Sequence, residues 1–475
     1  MQKLVGRVLE IERLNELYGS KKSEFVALYG RRRVGKTYLV NQLFHSKYAF
    51  QLTGLSDSGL DLQLKNFQAA LARFDEDYLG KPPKTSWFDA FQSLISSLEK
   101  KKGRKVIFID ELPWLDTPRS NFLPALEHFW NAWAALRDDV LLIVCGSATS
   151  WMIQQLINHR GGLHNRVTAR LHLKPFKLRE TAEFLRYKNA NYDLYQLVQL
   201  YMAIGGIPYY LEQLRAEESV AQNIDRLFFS DQGILRTEFY NLYRSLFGSF
   251  ERHLDIIKLL ASKKSGLFRK EIAAQSKLSN GGSLTRTLQE LEQCGFIRSY
   301  LPFGVKKSPK IFQLTDFYSL FYLRFVADSR AKGPGSWLVQ IDRPAYRSWC
   351  GLAFENVCWY HTDEIKEALG ISGVYTEIST WRNRDKKNGA QIDLVIDRRD
   401  RIINLCEIKY AEDAYTITKD YAEKLKNKER TFKAATKTKR TTALTFISTY
   451  GLKPNAYQRD LVRASLSARQ IFKLE

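Results

Sequence analysis

The chain has 475 residues, of which 44% are hydrophobic, 13% are aromatic and 26% are charged. This length predicts about two to four domains, and the composition excludes collagen-like, low-complexity and intrinsically disordered proteins. Lys and Arg outnumber Asp and Glu by 73 to 51, so the net charge of +22 favours a polyanionic partner, with nucleic acid preferred over an anionic membrane.

Neither membrane insertion nor secretion is expected. The longest apolar run, 140–148, falls well short of the roughly 18 residues of a membrane span. Glu10, Glu12 and Arg13 interrupt the start of the chain, where a secretory signal would be apolar, and the five cysteines form no dense disulfide pattern. These features predict a soluble protein of the reducing cytoplasm, with no membrane partner.

A phosphate-binding loop follows the first predicted strand. The segment 24–29 leads into GRRRVGKT at 30–37, which fills the pattern GxxxxGK[ST] at every fixed position, and a helix is predicted over 38–44. Gly30 and Gly35 leave room for backbone N–H groups to wrap around phosphates, and the helix N-terminus adds the positive end of its dipole. The pattern predicts a nucleotide site.

Two side chains of this loop have specific expected roles. Lys36 is expected to reach the β- and γ-phosphates, and Thr37 to place its hydroxyl on Mg²⁺. The predicted binding set also includes the rest of the loop and the residue after it: Arg31, Arg32, Arg33, Val34 and Tyr38. The three arginines occupy variable positions, where solvated loop charges are the alternative to phosphate contact.

The second predicted strand, 105–110, ends at Asp110, and a second acid, Glu111, follows it directly. Asp110 is expected to bind Mg²⁺ through water, and Glu111 to polarise the water that attacks the γ-phosphate. The alternative is that both acids only begin a loop before Pro113.

The third predicted strand, 140–144, is followed by small polar residues at the edge where doubly wound sheets bind ligands. Ser147 is the predicted sensor of the γ-phosphate. The alternative is that Ser147 caps a helix that starts near Ser150.

Together these motifs resemble the archaeal-type P-loop ATPases of the STAND branch of the AAA+ superfamily. The segments that carry the resemblance are LVGR at 4–7, GRRRVGKT at 30–37, VIFIDELPWL at 106–115, IVCGSATSWM at 143–152, LKPF at 173–176 and GGIP at 205–208. The resemblance implies an α/β fold with a parallel P-loop sheet over 1–178, a helical lid over 179–240, and ATP hydrolysis with Mg²⁺.

The resemblance also implies roles for residues outside the loop. The N-terminal box of Val5, Gly6 and Arg7 would line the adenine side, and Gly206 and Pro208 of the lid would lie against the nucleotide.

A late arginine completes the set of residues carried over from the family. Arg166 would act as an arginine finger, within one chain or across a contact between copies. Arg170 is its rival, and either residue could be an ordinary surface arginine. The sequence leaves self-association open.

Short amphipathic helices are predicted next, at 253–260, 269–274 and 283–291, followed by a hairpin of 295–300 and 310–314. This pattern resembles a winged helix-turn-helix domain, with bounds predicted at 241–330.

In such a domain the third helix can enter a DNA major groove, which would bring Thr285, Arg286 and Gln289 nearest the bases. The segment 241–330 carries 15 Lys and Arg against 7 Asp and Glu, which favours DNA contact. The alternative is an intramolecular scaffold that senses the nucleotide state.

The last predicted domain, 331–475, contains two consecutive strands, 390–396 and 402–409. Glu407 and Lys409 are two residues apart, so both side chains point to one face of a strand, where Asp393 could join them. The order resembles the core of PD-(D/E)XK nucleases and implies an α/β restriction-endonuclease-like fold.

In these nucleases Glu355, from a helix upstream of the sheet, would be an additional metal-binding acid. Asp393 and Glu407 would hold Mg²⁺ or Mn²⁺ against a scissile phosphate, while Lys409 orients the attacking water. Ile392 stands where the name-giving motif has proline. The alternative is an amphipathic hairpin in which Lys409 pairs with a surface acid.

The leading hypothesis is an ATPase that couples its nucleotide state to DNA binding and metal-dependent DNA cleavage. A second hypothesis is a nucleotide-switched DNA-binding protein whose nuclease-like domain is inactive. A third is an ATPase scaffold that binds another protein and never contacts DNA.

Overall fold

The computed structural model describes residues 4–157, 165–247, 250–276, 279–305, 307, 309–329, 333, 335–341, 343–383 and 389–474. The chain forms two compact units. The first contains the residues up to Pro175 together with 246–248, and the second contains 176–245 and the residues from 249 onward. The finer division into four domains stays a prediction, and its boundary at 330–331 lies outside the described residues.

The first unit is built on a sheet of five parallel strands in the order β2-β3-β4-β1-β5. The strands are β1 (Glu24–Tyr29), β2 (Tyr48–Thr53), β3 (Lys105–Asp110), β4 (Val140–Gly146) and β5 (Ala169–His172). Every residue of β3 and β4 is buried, as expected for parallel strands covered on both faces. The predicted α/β class with a parallel sheet is confirmed.

Helices connect these strands. They are α1 (Val8–Gly19), α2 (Lys36–Phe44), α3 (Leu60–Phe74), α4 (Trp87–Glu99), α5 (Leu112–Leu115), α6 (Phe122–Ala132) and α7 (Thr149–Trp151). Helix α7 continues as a π-helical segment, Met152–Ile157. The strands predicted at 24–29, 105–110 and 140–144 are confirmed, whereas β2 and β5 were not predicted.

Helix α4 shows why the core of this unit forms. Its apolar residues Trp87, Phe91, Leu94 and Leu98 recur at helical spacing and are buried on one face. The hydroxyl of Ser86 accepts a hydrogen bond from the N–H of Asp89 and caps the helix. The aromatic rings then pack edge to face and stacked against those of α3 and α6, which fixes the helices over the sheet.

The second unit begins with helices only. They are α8 (Leu178–Tyr187), α9 (Leu194–Ile204), α10 (Pro208–Glu212), α11 (Val220–Ile224), α12 (Ile234–Leu246), α13 (Phe250–Ala261), α14 (Arg269–Gln275) and α15 (Gly282–Gln293). A small antiparallel sheet of order β6-β8-β7 accompanies the last three. Its strands are β6 (Leu267–Phe268), β7 (Ile297–Tyr300) and β8 (Ile311–Leu314). The three predicted helices and the predicted hairpin are present in this segment.

The rest of the second unit carries a mixed five-stranded sheet of order β13-β12-β11-β10-β9. Its strands are β9 (Thr376–Arg382), β10 (Gln391–Arg398), β11 (Ile402–Lys409), β12 (Thr441–Ser448) and β13 (Ala464–Ser467). Strand β10 is antiparallel to β9 and β11, whereas β11, β12 and β13 are parallel. The helices are α16 (Phe317–Phe321), α17 (Leu338–Ile341), α18 (Pro344–Tyr360), α19 (Thr362–Ala368), α20 (Lys419–Thr436), α21 (Ala456–Leu461) and α22 (Ala468–Phe472).

None of the helices in the described part of the chain is both long and apolar enough to cross a membrane.

Two backbone segments of the second unit approach each other closely at Gly206. The N–H of Phe176 donates to the carbonyl of Gly206 over 2.7 Å, and a Cβ atom at Gly206 would lie 2.0 Å from the carbonyl oxygen of Phe176. The hydroxyl of Tyr201 donates to that same oxygen over 2.8 Å. Glycine at this position is therefore required by packing within the second unit itself.

We expect Gly206→Ala to lower the free energy of unfolding by about 1–3 kcal/mol, because backbone must move to admit the methyl group. The matched control is Gly373→Ala, whose Cβ would meet no atom within 4 Å and which should change stability by less than about 0.5 kcal/mol. Urea unfolding of both variants measures the difference. Equal stability of the two variants would contradict the packing role.

Candidate nucleotide site and a second acidic site

The loop after β1 is shaped by two glycines. A Cβ atom at Gly30 would lie 2.2 Å from the carbonyl oxygen of Leu173, whose N–H donates to the carbonyl of Tyr29 over 2.8 Å. Gly35 has a φ of 90°, in the left-handed region that favours glycine. As the N-cap of α2, Gly35 starts that helix at Lys36, two residues before the predicted start.

Lys36 lies across this loop and is only 5% exposed. Its Nζ atom donates to the carbonyls of Gly30 (2.9 Å) and Arg31 (3.0 Å) and to the hydroxyl of Ser147 (3.1 Å). All three of these partners are neutral, so none of these hydrogen bonds neutralises the ammonium charge.

Thr37 and Asp110 meet at the same edge of the sheet. The hydroxyl of Thr37 donates to Oδ2 of Asp110 over 2.7 Å, and the N–H of Glu111 donates to Oδ1 over 2.9 Å. A hydroxyl and a carboxylate are hard oxygen ligands, and Mg²⁺ prefers such ligands while keeping several waters. The residues present therefore fit a magnesium ion.

Ser147 joins the second acid to the loop. Its hydroxyl donates to Oε1 of Glu111 over 2.6 Å and its N–H donates to Oε2 over 3.1 Å. Helix α7 begins at Thr149 and has no side-chain cap, so the alternative interpretation of Ser147 as a helix cap is wrong. Lys36, Ser147 and Glu111 form one hydrogen-bonded chain, which neither strand motif alone predicted.

The N-terminal box contacts the loop through its arginine. Arg7 is buried, and its Nη2 donates to the carbonyl of Val34 over 3.0 Å. Gly6 and Arg7 both have positive φ, 67° and 61°, which turns the chain into α1. Val5, the first residue of the box, is partly buried.

The remaining predicted loop residues differ in exposure. Arg31 is only 4% exposed, so the interpretation as a solvated charge is wrong for this residue, because it is enclosed at the loop. Arg32 is exposed and Arg33 is half-buried, with a φ of 71°. Tyr38 lies exposed on the first turn of α2.

The two candidate finger arginines are both exposed. Arg166 lies in a turn before β5, and within the described residues its side chain forms no hydrogen bond or ion pair. Arg170 lies on β5. Burial raises the pKa of Tyr29, and the nearby charge of Arg170 partly opposes that increase. Gly206 and Pro208 belong to the second unit, so the prediction that they lie against the nucleotide stays a prediction.

The predicted nuclease residues gather where β10, β11, α18 and α20 meet. Glu407 is only 3% exposed, and Nζ of Lys409 lies 3.0 Å from its Oε1. The hydroxyl of Tyr421 donates to the same oxygen, and Nζ of Lys428 donates to Oε2. Lys409 therefore pairs with a buried acid, and the alternative of a surface pair is wrong.

Asp393 and Glu355 lie beside this group. Oδ2 of Asp393 accepts from the N–H of Ile408 over 3.2 Å. Burial, and then the charge of Asp393, raise the pKa of Glu355 to about 8, and burial followed by the charge of Glu407 raises the pKa of Asp393 to about 6. Burial alone would raise the pKa of Glu407 too, but Lys428 and Lys409 hold it below its ordinary value.

These acids do not form a metal cage as they stand. Among the described residues no group of three or more His, Cys, Asp or Glu side chains is placed to hold a metal ion. Glu407 is bonded to two lysines and a tyrosine instead. The metal-binding role of Glu355, Asp393 and Glu407 stays a prediction.

The prediction from sequence missed Lys428. This lysine shares one face of α20 with Tyr421, Leu425 and Phe432, at offsets of seven, three and four residues, and the two apolar residues of that face are buried. A lysine on the buried face of an amphipathic helix was the available signal.

Comparisons with known proteins agree with the geometry of the first unit. A family model described as an ATPase domain predominantly from Archaea matches residues 4–214. An uncharacterized protein of Methanocaldococcus jannaschii is 25% identical over 415 residues, which cover 86% of this chain and 88% of that protein. The similarity therefore extends well past the matched domain.

The solved structures that resemble this chain have lower sequence identity to it than the Methanocaldococcus protein has. A Walker-type ATPase of Pyrococcus abyssi is 16% identical and covers 68% of this chain and 96% of its own, with a TM-score of 0.48. The ORC2 protein of Aeropyrum pernix is 14% identical and covers 67% and 93%, with a TM-score of 0.42. Residues 4–214 thus form a P-loop ATPase domain on the evidence of the family match.

We expect Glu111→Gln to reduce ATP hydrolysis by about 10²-fold or more, because the amide cannot accept a proton from the attacking water. ATP binding, measured by fluorescence of a labelled analogue, should persist. Glu16→Gln, which removes an exposed acid of α1, is the matched control and should hydrolyse ATP normally. Full hydrolysis by Glu111→Gln would contradict the assignment.

Proposed function

We propose that this P-loop ATPase couples ATP binding and hydrolysis to nucleic-acid binding by its second unit. The observation that carries the proposal is that one chain contains both the nucleotide site and the helices α13, α14 and α15. These helices lie in a segment with 15 Lys and Arg against 7 Asp and Glu. An excess of positive charge of this kind attracts the phosphate backbone, and a nucleotide site elsewhere in the chain can regulate that contact.

At the nucleotide site each side chain has a distinct task. Lys36 would exchange the carbonyls of Gly30 and Arg31 for phosphate oxygens, because a charged acceptor binds an ammonium more strongly than a neutral one. Thr37 and Asp110 would hold Mg²⁺. When bound, Mg²⁺ would neutralise charge on the β- and γ-phosphates.

Glu111 would orient the attacking water and accept its proton. In the structure both oxygens of this carboxylate are engaged by Ser147. Since Ser147 also accepts from Lys36, movement of Lys36 toward phosphate would change the hydrogen bonding of the carboxylate. Ser147 is proposed to report the γ-phosphate to the catalytic base in this way.

Other predicted contacts with ATP extend this proposal. Val5, Gly6 and Arg7 would lie on the adenine side, supported by the bond from Arg7 to the loop. Gly206 and Pro208 would close on the nucleotide from the lid. Exposed Arg166 is available as a finger, within one chain or between copies.

The segment from α13 to β8 is proposed to be a winged helix. Three helices with a three-stranded antiparallel sheet support this interpretation. On α15, Arg286 and Gln289 are exposed, although Nε of Arg286 donates to Oε1 of Glu290 over 2.9 Å. Thr285 is half-buried, and its hydroxyl accepts from Arg269 over 2.7 Å. Arg286 and Gln289 are therefore better placed to contact bases than Thr285.

We expect the affinity for DNA to fall steeply as salt is raised from 50 to 200 mM, because phosphate contacts release counterions. ATP should change this affinity in the wild type and have no effect in Lys36→Ala, which should also lose hydrolysis. Fluorescence anisotropy with labelled DNA, with and without ATP, measures both. Salt-independent retention, or no binding, would contradict nucleic-acid binding.

Cleavage of nucleic acid at the second acidic site is a second candidate function. It is supported by the meeting of Asp393, Glu407 and Lys409 on β10 and β11, with Glu355 on α18. Carboxylates are suitable ligands for Mg²⁺ or Mn²⁺, but Glu407 as placed is bonded to lysines. The rival candidate, an inactive nucleic-acid-binding surface, is supported by that bonding.

We expect Asp393→Asn to separate these candidates. A metal-dependent nuclease would cut single-stranded, linear or supercoiled DNA with Mg²⁺ or Mn²⁺ and lose that activity in the variant, while ATP hydrolysis stays unchanged. Gel analysis of the products measures cutting. No product with either metal, with DNA still bound by the wild type, would support the inactive surface and contradict cleavage.

A further inference from the structure

A cleft of about 850 Å³ lies within the second unit. One wall is formed by the end of α13, the small sheet β6-β8-β7 and the residues after β7, and the other by α18, β9 and β10. Both Glu355 and Asp393 line it, so the cleft connects the proposed winged helix to the second acidic site. Its volume is within the range of about 300–1,000 Å³ that small ligands fill.

Arg298 on β7 is the central cation of this cleft. Its Nε and Nη2 atoms donate to Oε1 of Gln313 over 3.1 and 2.7 Å, and Nη2 also donates to Oδ1 of Asn356 over 3.0 Å. The guanidinium lies 4.1 Å from the ring centroid of Trp359. No carboxylate of the described residues lies within ion-pair distance of Arg298.

Such an environment prepares the guanidinium for an anion. Burial lowers the pKa of Arg298, a half-buried side chain, to about 10, so the group stays charged at neutral pH. Gln313 and Asn356 orient the group without neutralising it. Nε and Nη2 are engaged by Gln313 and Asn356, so a phosphate would bond to Nη1 or displace one of these two amides. Phosphate is a preferred partner of a guanidinium.

The rest of the cleft suits a nucleotide chain. Aromatic residues line its walls, among them Tyr300, Trp359 and Trp381, and aromatic rings are the common partners of unpaired bases. Lys263 and Lys264 are exposed in the turn between α13 and β6, where they also line the cleft. Positive charge at an opening draws in a polyanion.

The cleft is also tied to the acids. The Nε1 atom of Trp359 donates to the backbone carbonyl of Asp393 over 3.1 Å. Asn356, which holds Arg298, follows Glu355 directly on α18. A ligand that contacts Arg298 and Trp359 therefore lies beside the residues that position both carboxylates.

We propose that this cleft binds a single nucleic-acid strand, with Arg298 holding a phosphate and the strand leading to Asp393 and Glu355. The proposal rests on the proposed nucleic-acid function and deepens it, because it adds a contact in the cleft to the one proposed on α15. The aromatic lining favours an unpaired strand or its end, because a duplex keeps its bases stacked on one another and offers none to the rings.

The test is fluorescence anisotropy of the full chain with labelled 20-mers of deoxythymidine and of uridine and with a blunt duplex. Wild type should bind a single strand more tightly than the duplex. Arg298→Gln should weaken single-strand binding about tenfold or more, because a hydrogen-bonded charge is lost. Arg179→Gln, at an exposed arginine of α8 that pairs with Glu183, is the matched control.

Circular dichroism melting shows whether Arg298→Gln folds. If it does not fold, Lys264→Gln tests the cleft in its place. This exposed residue should lower single-strand affinity and reduce the slope of log K against log salt by about 0.7, the value for one phosphate contact of a single strand. Tighter binding of one single strand than of the duplex supports the cleft. The strand that binds more tightly, deoxythymidine or uridine, identifies the ligand as DNA or RNA.

Three results would overturn the proposal, and they are distinguishable from one another. If Arg286→Gln weakens binding while Arg298→Gln and Lys264→Gln bind like the control, α15 is the contact surface, and nucleic-acid function stands without the cleft. If the wild type binds none of the three probes at low salt, the proposed nucleic-acid function itself fails. Preference of the wild type for the duplex would also contradict a single-strand cleft.

Discussion

A parallel sheet brings the carboxyl ends of all its strands to one edge, and the chemistry of the first unit depends on this constraint. Strand β4 lies between β1 and β3, so the residues that follow these three strands must meet. Thr37 then reaches Asp110, and Ser147 reaches both Lys36 and Glu111. None of these contacts joins neighbours in sequence. The strand order, more than any single motif, therefore assembles the site that the family match assigns to an ATPase.

Sequence patterns were sufficient to predict those parts of the first unit whose residues are close together in the sequence. The loop at 30–37 and the acids at Asp110 and Glu111 could be predicted because glycines, lysine and carboxylates follow apolar strands at fixed spacing. The bond between Ser147 and Glu111 could not, since it depends on which strands are neighbours. Strands β2 and β5 were also missed. Strand β5 has only four residues, and its pairing with β1, which the sequence does not show, is what makes it recognisable as a strand.

At the second acidic site, too, the contacts within a strand could be predicted from the sequence, whereas a contact made by helix packing could not. The two-residue spacing of Glu407 and Lys409 correctly predicted that both side chains share a face of β11, and the adjacent strand brings Asp393 to them. Lys428 comes from α20, and only the packing of that helix brings it to Glu407. Its charge matters for the whole group, because two lysines stabilise the Glu407 carboxylate, whereas burial raises the pKa of Asp393 and Glu355.

Hydrogen-bond partners separate the cations that can take up an anion from those already paired with one. Lys409 and Lys428 are half-buried and paired with the buried carboxylate of Glu407, so a phosphate could recruit either lysine only by removing a partner from that carboxylate, which is costly. The known partners of Lys36 and Arg298 are carbonyl, hydroxyl and amide oxygens, which a phosphate can replace or join at lower cost. Lys36 and Arg298 thus have the same kind of neutral oxygen partners, and this is the physical reason why the proposal places the phosphate at Arg298 rather than at Lys409.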